Sequence, residues 1–383
     1  LRGPKGIRPA YYYIDDEVIV LASERPVIQT VFNVPFDKVE ELGPGCALLI
    51  NRHGEPAIRR ILPEGDNRRC SFERVYFSRG SDAEIYRERK ALGANIVPTL
   101  IDTIGARFDT TVFSFIPNTA EVAFIGMVEA LNRHFDKLRK DEISALASRG
   151  ELDDTKLTDI LRRKVRVEKI AIKDIKLRTF IAEGSTRNDL AAHVYDVTYG
   201  SIRPGTDSLV VIDDSIVRGT TLKQSILRIL DRLGPRRIIV VSSSPQVRYP
   251  DYYGIDMPHL DELAAFRAAV SLLEHRGNAG LLDDVYARCM AEIEKPDSEM
   301  TNAVKAIYDQ FDDNEIAYEM ARMLRPDDIN ASVEILFQTL DGLHDAIPGC
   351  PGDWYFSGNY PTPGGIKLVN RAYINFYRKK HAK

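Results

Sequence analysis

Two adjacent carboxylates, Asp213 and Asp214, stand immediately before a short run of hydroxyl and small residues. Neighbouring acids suit sugar hydroxyls or a hard cation such as Mg²⁺. A polar loop that leads into a helix suits a phosphate, because the first backbone N–H groups of a helix are unpaired and its dipole is positive there. The pattern predicts a site for a phosphorylated sugar, and the alternative is an ordinary turn with solvated acids. The candidate loop residues are Ser215, Arg218, Gly219, Thr220 and Thr221.

The segments on either side predict the elements that position these residues. Residues 209–212 are an uninterrupted apolar run, typical of a strand buried on both faces of a parallel sheet. Residues 222–233 place apolar side chains at helical spacing, with Thr220 or Thr221 as the expected N-cap. The acids therefore fall at the carboxyl end of a strand, where ligand sites of open α/β sheets gather.

The run Ile-Asp-Asp-Ser-Ile-Val-Arg-Gly-Thr-Thr at 212–221 resembles the phosphoribosyl pyrophosphate (PRPP) motif of type I phosphoribosyltransferases, in the form found in glutamine amidophosphoribosyltransferases. The segment 243–258 resembles the same family. The resemblance implies an α/β fold, with the type I parallel sheet flanked by helices. It also implies a glycosyltransferase reaction, in which ammonia from glutamine attacks C1 of PRPP. The products are 5-phosphoribosylamine and pyrophosphate, in the first step of de novo purine biosynthesis.

The resemblance also assigns roles to individual residues. Thr119, in the turn Pro-Asn-Thr at 117–119, matches the pyrophosphate loop, although Asn118 replaces the usual acid. Arg178, in Arg-Thr-Phe-Ile at 178–181, matches a flexible loop that closes over PRPP, but the usual basic run after that loop is missing. The catalytic residues implied are Arg178, Asp213 and Asp214, the magnesium ligands Thr119, Asp213 and Asp214, and the PRPP contacts Thr119, Lys173, Asp213, Asp214, Ser215, Arg218, Gly219, Thr220 and Thr221.

The same resemblance divides the chain. Residues 1–81 are a hairpin-rich segment similar to the second half of an N-terminal-nucleophile (Ntn) glutaminase domain, and 82–105 form a linking helix. Residues 106–258 form the phosphoribosyltransferase domain, with a charged helical insertion at about 134–169. Residues 259–383 form a C-terminal helical region that includes a helix at 329–340. Because the first residue is Leu1 rather than a nucleophilic Cys, we do not expect glutaminase activity from the chain as given.

Some members of this family bind a [4Fe-4S] cluster through four cysteines. Here Cys70 matches the first position, while Asp251, Gly352 and Tyr355 occupy the other three. One thiolate cannot hold a cluster that needs four ligands, so we predict no iron-sulfur centre.

Composition limits the remaining possibilities. The 56 acids and 52 bases give a net charge of −4 and are spread along the chain, with acids interleaved around the basic run at 162–164, which disfavours a nucleic-acid or membrane surface. No apolar stretch approaches the roughly 20 residues of a membrane span, and scattered cysteines fit a reducing cytoplasm. The resemblance implies a homo-oligomer inhibited by purine nucleotides. A PRPP-binding regulator without catalysis, or a phosphoribosyltransferase with another acceptor, stays open.

Overall fold

The computed structural model describes residues 1–105, 107–173, 195–255 and 257–382. The chain begins with an antiparallel β layer, as the hairpin pattern predicts. Its elements are β1 (Tyr11–Ile14), β2 (Ile19–Ala22), α1 (Arg25–Phe32), β3 (Glu40–Glu41), β4 (Cys46–Ile50) and β5 (Pro56–Arg60). A three-stranded sheet in the order β2-β1-β3 packs against α1, and β4 pairs with β5 around the turn at 51–55.

A pair of helices follows, where the sequence predicts a single one. Helix α2 (Ala83–Asn95) begins at Asp82, whose side chain accepts hydrogen bonds from the first turn, and α3 (Val97–Ile104) starts anew at Ile96. Pro98 lies in the first turn of α3, the position where its missing N–H disrupts no helical bond. The long helix α4 (Glu121–Ser148) packs against α2 so closely that a Cβ added to Gly93 would lie 1.7 Å from the carbonyl oxygen of Ala123.

The centre of the molecule is a five-stranded parallel sheet. Its strands are β6 (Thr111–Phe115), β7 (Arg166–Val167), β10 (Ser208–Asp213), β11 (Arg237–Ser242) and β12 (Ser332–Phe337), and a separate antiparallel pair is formed by β8 (Ala171–Lys173) and β9 (Tyr195–Val197). The strand order in the sheet is β12-β11-β10-β6-β7. In β10, Leu209 and Val211 belong to one hydrophobic core, and Val210 and Ile212 to the core on the opposite face. The apolar run before Asp213 is therefore buried on both faces, as predicted.

The remaining helices flank the sheet or follow it. They are α5 (Asp154–Arg162), α6 (Leu227–Asp231), α7 (Ala264–His275), α8 (Gly280–Glu292), α9 (Lys305–Tyr308), α10 (Asp313–Leu324), α11 (Leu340–Ala346), α12 (Trp354–Ser357) and α13 (Pro363–His381). The predicted helix at 329–340 is wrong, because residues 332–337 form the edge strand β12 beside β11. The helix prediction also missed that 222–226 is a π-helical turn before α6.

Hydrogen bonds connect residues 1–81 to two later parts of the chain, at Gly352 and at Tyr253. Cys70 forms a β-bridge with Gly352, and the Ser71 hydroxyl donates to the Gly352 carbonyl oxygen over 2.9 Å. Arg8 Nη2 donates to the carbonyl oxygen of Tyr253 over 2.8 Å. Within the described ranges, no helix has both the length and the apolar character needed to cross a bilayer.

Candidate functional site

The two acids of the sequence motif lie where the central strand ends. Asp213 is the last residue of β10, and its carboxylate accepts a hydrogen bond from the backbone N–H of Asp214 over 2.9 Å. The end of the neighbouring strand fixes the main chain of both acids. Ser243 donates its N–H to the carbonyl oxygen of Asp213 over 2.9 Å and its hydroxyl to that of Asp214 over 3.2 Å. Parallel pairing of β10 with β11 thus sets the direction in which the carboxylates leave the sheet.

The environment of these carboxylates disfavours two negative charges. Burial raises the pKa of Asp213 well above its ordinary value, and the charge of Asp214 raises it further. Burial also raises the pKa of Asp214, opposed by the Ser215 hydroxyl, which donates over 3.0 Å, by the positive charge of Arg89 and by the hydroxyl of Thr119. A ligand that supplies positive charge or hydroxyl donors would relieve this cost.

Residues of the C-terminal region donate hydrogen bonds to the main chain of the loop 215–221. Ala264 donates its N–H to the carbonyl oxygen of Val217 over 2.8 Å, and Arg267 Nη2 donates to that of Arg218 over 2.7 Å. The Arg218 guanidinium also forms an ion pair with Glu262 at 2.8 Å. Gly219 adopts φ +73°, in the left-handed region that favours glycine.

A cavity of about 570 Å³ opens between the strand ends and this loop. Its size falls within the range of small-molecule sites. Its lining combines polar groups with apolar and aromatic side chains. The lining residues are Phe72, Tyr76, Phe77, Ile116, Pro117, Asn118, Thr119, Asp213, Asp214, Ser215, Ile216, Val217, Arg218, Gly219, Thr220, Thr221, Leu222, Ile226, Ile255 and Met257.

The structure therefore brings most of the predicted site residues together. Thr119 comes from the turn before α4, and Asp213 to Thr221 come from the turn after β10, yet all reach the same cavity. The N-cap prediction is wrong for both threonines, because Thr220 and Thr221 already lie in the helix and Thr221 makes no side-chain capping bond. Lys173 ends β8, where its backbone pairs with Tyr195. Arg178 lies outside the described residues.

An aromatic wall, formed by Phe72, Tyr76 and Phe77, had no functional role in the sequence-based predictions. Tyr76 stacks on Phe72 with ring centroids 5.9 Å apart and meets Phe77 edge-on at 4.8 Å. Tyr76 and Phe77 are 44% and 40% exposed and line the cavity. These rings fall within residues 1–81, and only tertiary packing brings them to the same cavity as Asp213.

Oxygen atoms of the cavity match some of the ligands that a magnesium ion needs. Across the part of the chain that the structure describes, no group of three or more His, Cys, Asp or Glu side chains could hold a metal ion. Magnesium, however, is usually bound by one or two carboxylates together with waters and substrate phosphates. Asp213, Asp214 and the hydroxyl of Thr119 face the same cavity and match that chemistry.

The four positions that the family resemblance matches to cluster ligands lie together in the fold. Cys70 bridges to Gly352 through the backbone, and the hydroxyl of Tyr355 donates to the buried carboxylate of Asp251. The Tyr355 ring also packs against Phe72, with centroids 5.3 Å apart. A packed, hydrogen-bonded cluster of protein side chains occupies this region.

Comparison with known proteins supports the resemblance. Curated homologues are named amidophosphoribosyltransferase. The protein from Pasteurella multocida is 25% identical over 273 residues, and the one from Escherichia coli is 27% identical over 270, each covering 69% of this chain and 47% of the relative. The Bacillus subtilis protein is 26% identical over 283 residues, covering 73% of this chain and 50% of the relative. No protein-family model matches the chain.

Solved structures confirm the predicted fold class. Glutamine PRPP amidotransferase from Bacillus subtilis, in a complex with ADP and GMP, aligns with a TM-score of 0.58 at 22% identity. The alignment covers 94% of this chain and 60% of that structure. A second structure, described as the allosteric regulatory enzyme of purine biosynthesis, aligns with a TM-score of 0.57. The chain spans about half the length of the curated relatives it matches.

Proposed function

We propose that this protein is an amidophosphoribosyltransferase that binds PRPP in the cavity at the end of β10. The observation that carries the proposal is the pair Asp213 and Asp214, held at the strand end beside the glycine-containing loop 215–221 and next to Thr119, whose hydroxyl bonds Asp214. Acids, hydroxyls and a helix N-terminus in one cavity match a ligand with ribose hydroxyls and phosphates. The homologues named amidophosphoribosyltransferase support ammonia as the acceptor.

Different residues of the cavity would bind different parts of PRPP. The loop 215–221 would hold the 5-phosphate through its hydroxyls and backbone amides, and Asp213 with Asp214 would orient the ribose hydroxyls. Thr119 would face the pyrophosphate side, together with Arg178 and Lys173 as the sequence resemblance implies. Each group therefore binds a different part of PRPP, which fixes C1 relative to the incoming ammonia.

The reaction joins nitrogen to C1 as the bond from C1 to the pyrophosphate oxygen breaks, and the new amine then loses a proton. Because such a displacement passes through an oxocarbenium-like state, positioning and charge stabilisation supply most of the catalysis. Magnesium, bound with the substrate, would neutralise charge on the departing pyrophosphate. Asp213, Asp214 and Thr119 are the protein groups that would hold it.

Further features of the proposal come from the relatives. The Bacillus subtilis structure contains ADP and GMP, so we include purine nucleotides as inhibitors. From the family resemblance we also include glutamine as the ammonia source, a homo-oligomeric state and a cytoplasmic location. Residues 106–258 would form the phosphoribosyltransferase domain, completed at one edge of its sheet by β12.

The direct test measures pyrophosphate released from PRPP and Mg²⁺ with ammonium chloride, with glutamine, or with a nucleobase as acceptor. We expect release with ammonia, which bypasses any need for a glutaminase site. PRPP binding with no release under any condition would favour a regulator. Release that depends on a nucleobase would favour a phosphoribosyltransferase with another acceptor.

Asp214→Asn tests the assignment of the site. Because Asp214 is buried and its pKa is raised, removing its charge should leave folding intact while abolishing PRPP binding. Asp297→Asn, at an exposed position after α8, is the matched control and should retain full turnover. Turnover by the Asp214 variant at the wild-type rate would show that this carboxylate has no role in the reaction.

A further inference from the structure

Arg89 is a buried cation that none of the assigned roles uses. It lies in the middle of α2 with 4% of its surface exposed, whereas Arg87 on the same helix is exposed. Its Nε donates to the carbonyl oxygen of Arg74 over 3.0 Å, and its Nη2 donates to the carbonyl oxygen of Ser78. The guanidinium is thus committed to two main-chain acceptors of one short segment.

Burying a guanidinium is costly, so its position calls for a compensating interaction. Two carbonyl groups supply hydrogen bonds but no full negative charge. Burial lowers the pKa of Arg89, and the charge of Asp214 opposes that shift more than any other group does. The cation is therefore within electrostatic reach of one of the carboxylates that line the cavity.

The two accepting carbonyls bracket the aromatic wall. Residues 73–77 form a π-helical turn, and Arg74 and Ser78 stand on either side of Tyr76 and Phe77. Helix α2 makes further contact with this turn through Arg74, whose guanidinium pairs with Glu88 at 2.6 Å. One side chain from α2 therefore fixes both ends of the segment that carries the exposed aromatic rings.

We propose that Arg89 is a positioning residue of the site, which holds the 73–78 segment against α2 so that Tyr76 and Phe77 form a fixed wall of the PRPP cavity. The role follows from geometry, because two donors of a rigid planar group fix two carbonyls at once. Its consequence for ligand affinity rests on the proposed function. Its consequence for the wall itself does not.

The first test needs no ligand. Hydrogen exchange of the backbone amides of 73–78 should become about tenfold faster or more in Arg89→Met, with exchange in the central sheet unchanged. Arg89→Lys keeps the charge but lacks the planar pair of donors, so it should fall between the wild type and the methionine variant. Arg87→Met is the matched control and should exchange like the wild type. Unchanged protection of 73–78 in Arg89→Met would overturn the inference.

The second test measures the effect on the site. We expect Arg89→Met to weaken PRPP binding about tenfold or more in calorimetry, with a larger change in KM than in kcat. Tyr76→Ala should also weaken PRPP binding. The variant with both substitutions should bind PRPP as tightly as the weaker-binding of the two single variants, because Arg89 acts through the aromatic wall. Additive losses would show that Arg89 acts on the ligand by another route. Absence of PRPP binding in the wild type would refute the proposed function and leave the exchange result to decide the role of Arg89.

Discussion

Replacing Gly219 with alanine tests whether the 215–221 loop depends on its contact with the C-terminal helices. Gly219 has φ +73° and faces the end of α10. A methyl carbon added there would lie 2.6 Å from Cδ2 of Leu324, and Leu324 is itself buried. A second contact joins the same two segments, because Nζ of Lys223 donates to the carbonyl oxygen of Met323 over 2.8 Å. We therefore expect both backbone strain and steric conflict in Gly219→Ala.

Replacing a second glycine separates the cost of backbone strain from the cost of the steric conflict. A non-glycine residue in the left-handed region costs about 1–2 kcal/mol, and overpacking a buried contact adds about 1–3 kcal/mol. Gly219→Ala should thus lower the free energy of unfolding by about 2–5 kcal/mol. Gly205 has φ +71° with nothing within 4 Å of an added Cβ. Gly205→Ala should lose only the strain, about 1–2 kcal/mol.

Urea unfolding followed by tryptophan fluorescence is a suitable assay, because Trp354 is the only tryptophan and is fully buried. Leu324→Ala alone should cost about 2–5 kcal/mol through the cavity it leaves. In the double variant the methyl group introduced by Gly219→Ala has room, so the loss should be smaller than the sum of the single losses by about 1–3 kcal/mol.

Two results would refute this reasoning. Equal losses in Gly219→Ala and Gly205→Ala would mean that Leu324 yields without cost. Strict additivity in the double variant would mean that the two positions are not in energetic contact. If the contact also sets the shape of the loop, PRPP affinity should fall in Gly219→Ala and stay unchanged in Gly205→Ala.

Three other predictions follow from individual side chains. Burial raises the pKa of Asp213, so the folded state binds a proton at this carboxyl more tightly than the unfolded state does, and the contribution of Asp213 to stability falls as pH rises above about 4. Asp213→Asn should therefore raise the Tm at pH 7, measured by calorimetry, and this gain should shrink towards pH 4. A gain that is the same at both pH values would contradict the prediction. Tyr355→Phe removes the donor to the buried Asp251 carboxylate and should cost about 1–3 kcal/mol in urea unfolding, whereas Tyr318→Phe, at an exposed position, should cost nothing measurable. Protein purified without oxygen should contain no stoichiometric iron or acid-labile sulfide, and finding both would refute the cluster prediction.

The local part of the site could be predicted from the sequence. The strand before Asp213, the loop 215–221 and the turn at Thr119 each follow from residues close together in the chain, where apolar runs and turn chemistry are informative. The central strand is buried on both faces, as its composition indicates. The antiparallel pairing of β4 with β5 likewise follows from a local turn.

The parts that failed depend on distant partners. Residues 332–337 contain Val333, Ile335 and Phe337, a spacing of two that suits a strand, but apolar neighbours on both sides also suit a helix. Pairing with β11 decides the outcome, and no local rule reveals that partner. The aromatic wall was not predicted for the same reason. Tyr76 and Asp214 are far apart in the sequence, yet both line the same cavity.

The electrostatics of the cavity argue against reading the acids as an ordinary turn. Solvated acids in a turn would keep their usual pKa, whereas burial raises that of both Asp213 and Asp214. A chain that needed only a turn would lose nothing by placing a neutral residue at either position. The nearby buried charge of Arg89 offsets only part of the cost. The proposed ligand accounts for this arrangement, because a magnesium complex of a phosphorylated ribose would supply both the positive charge and the hydroxyl donors that the two carboxylates lack.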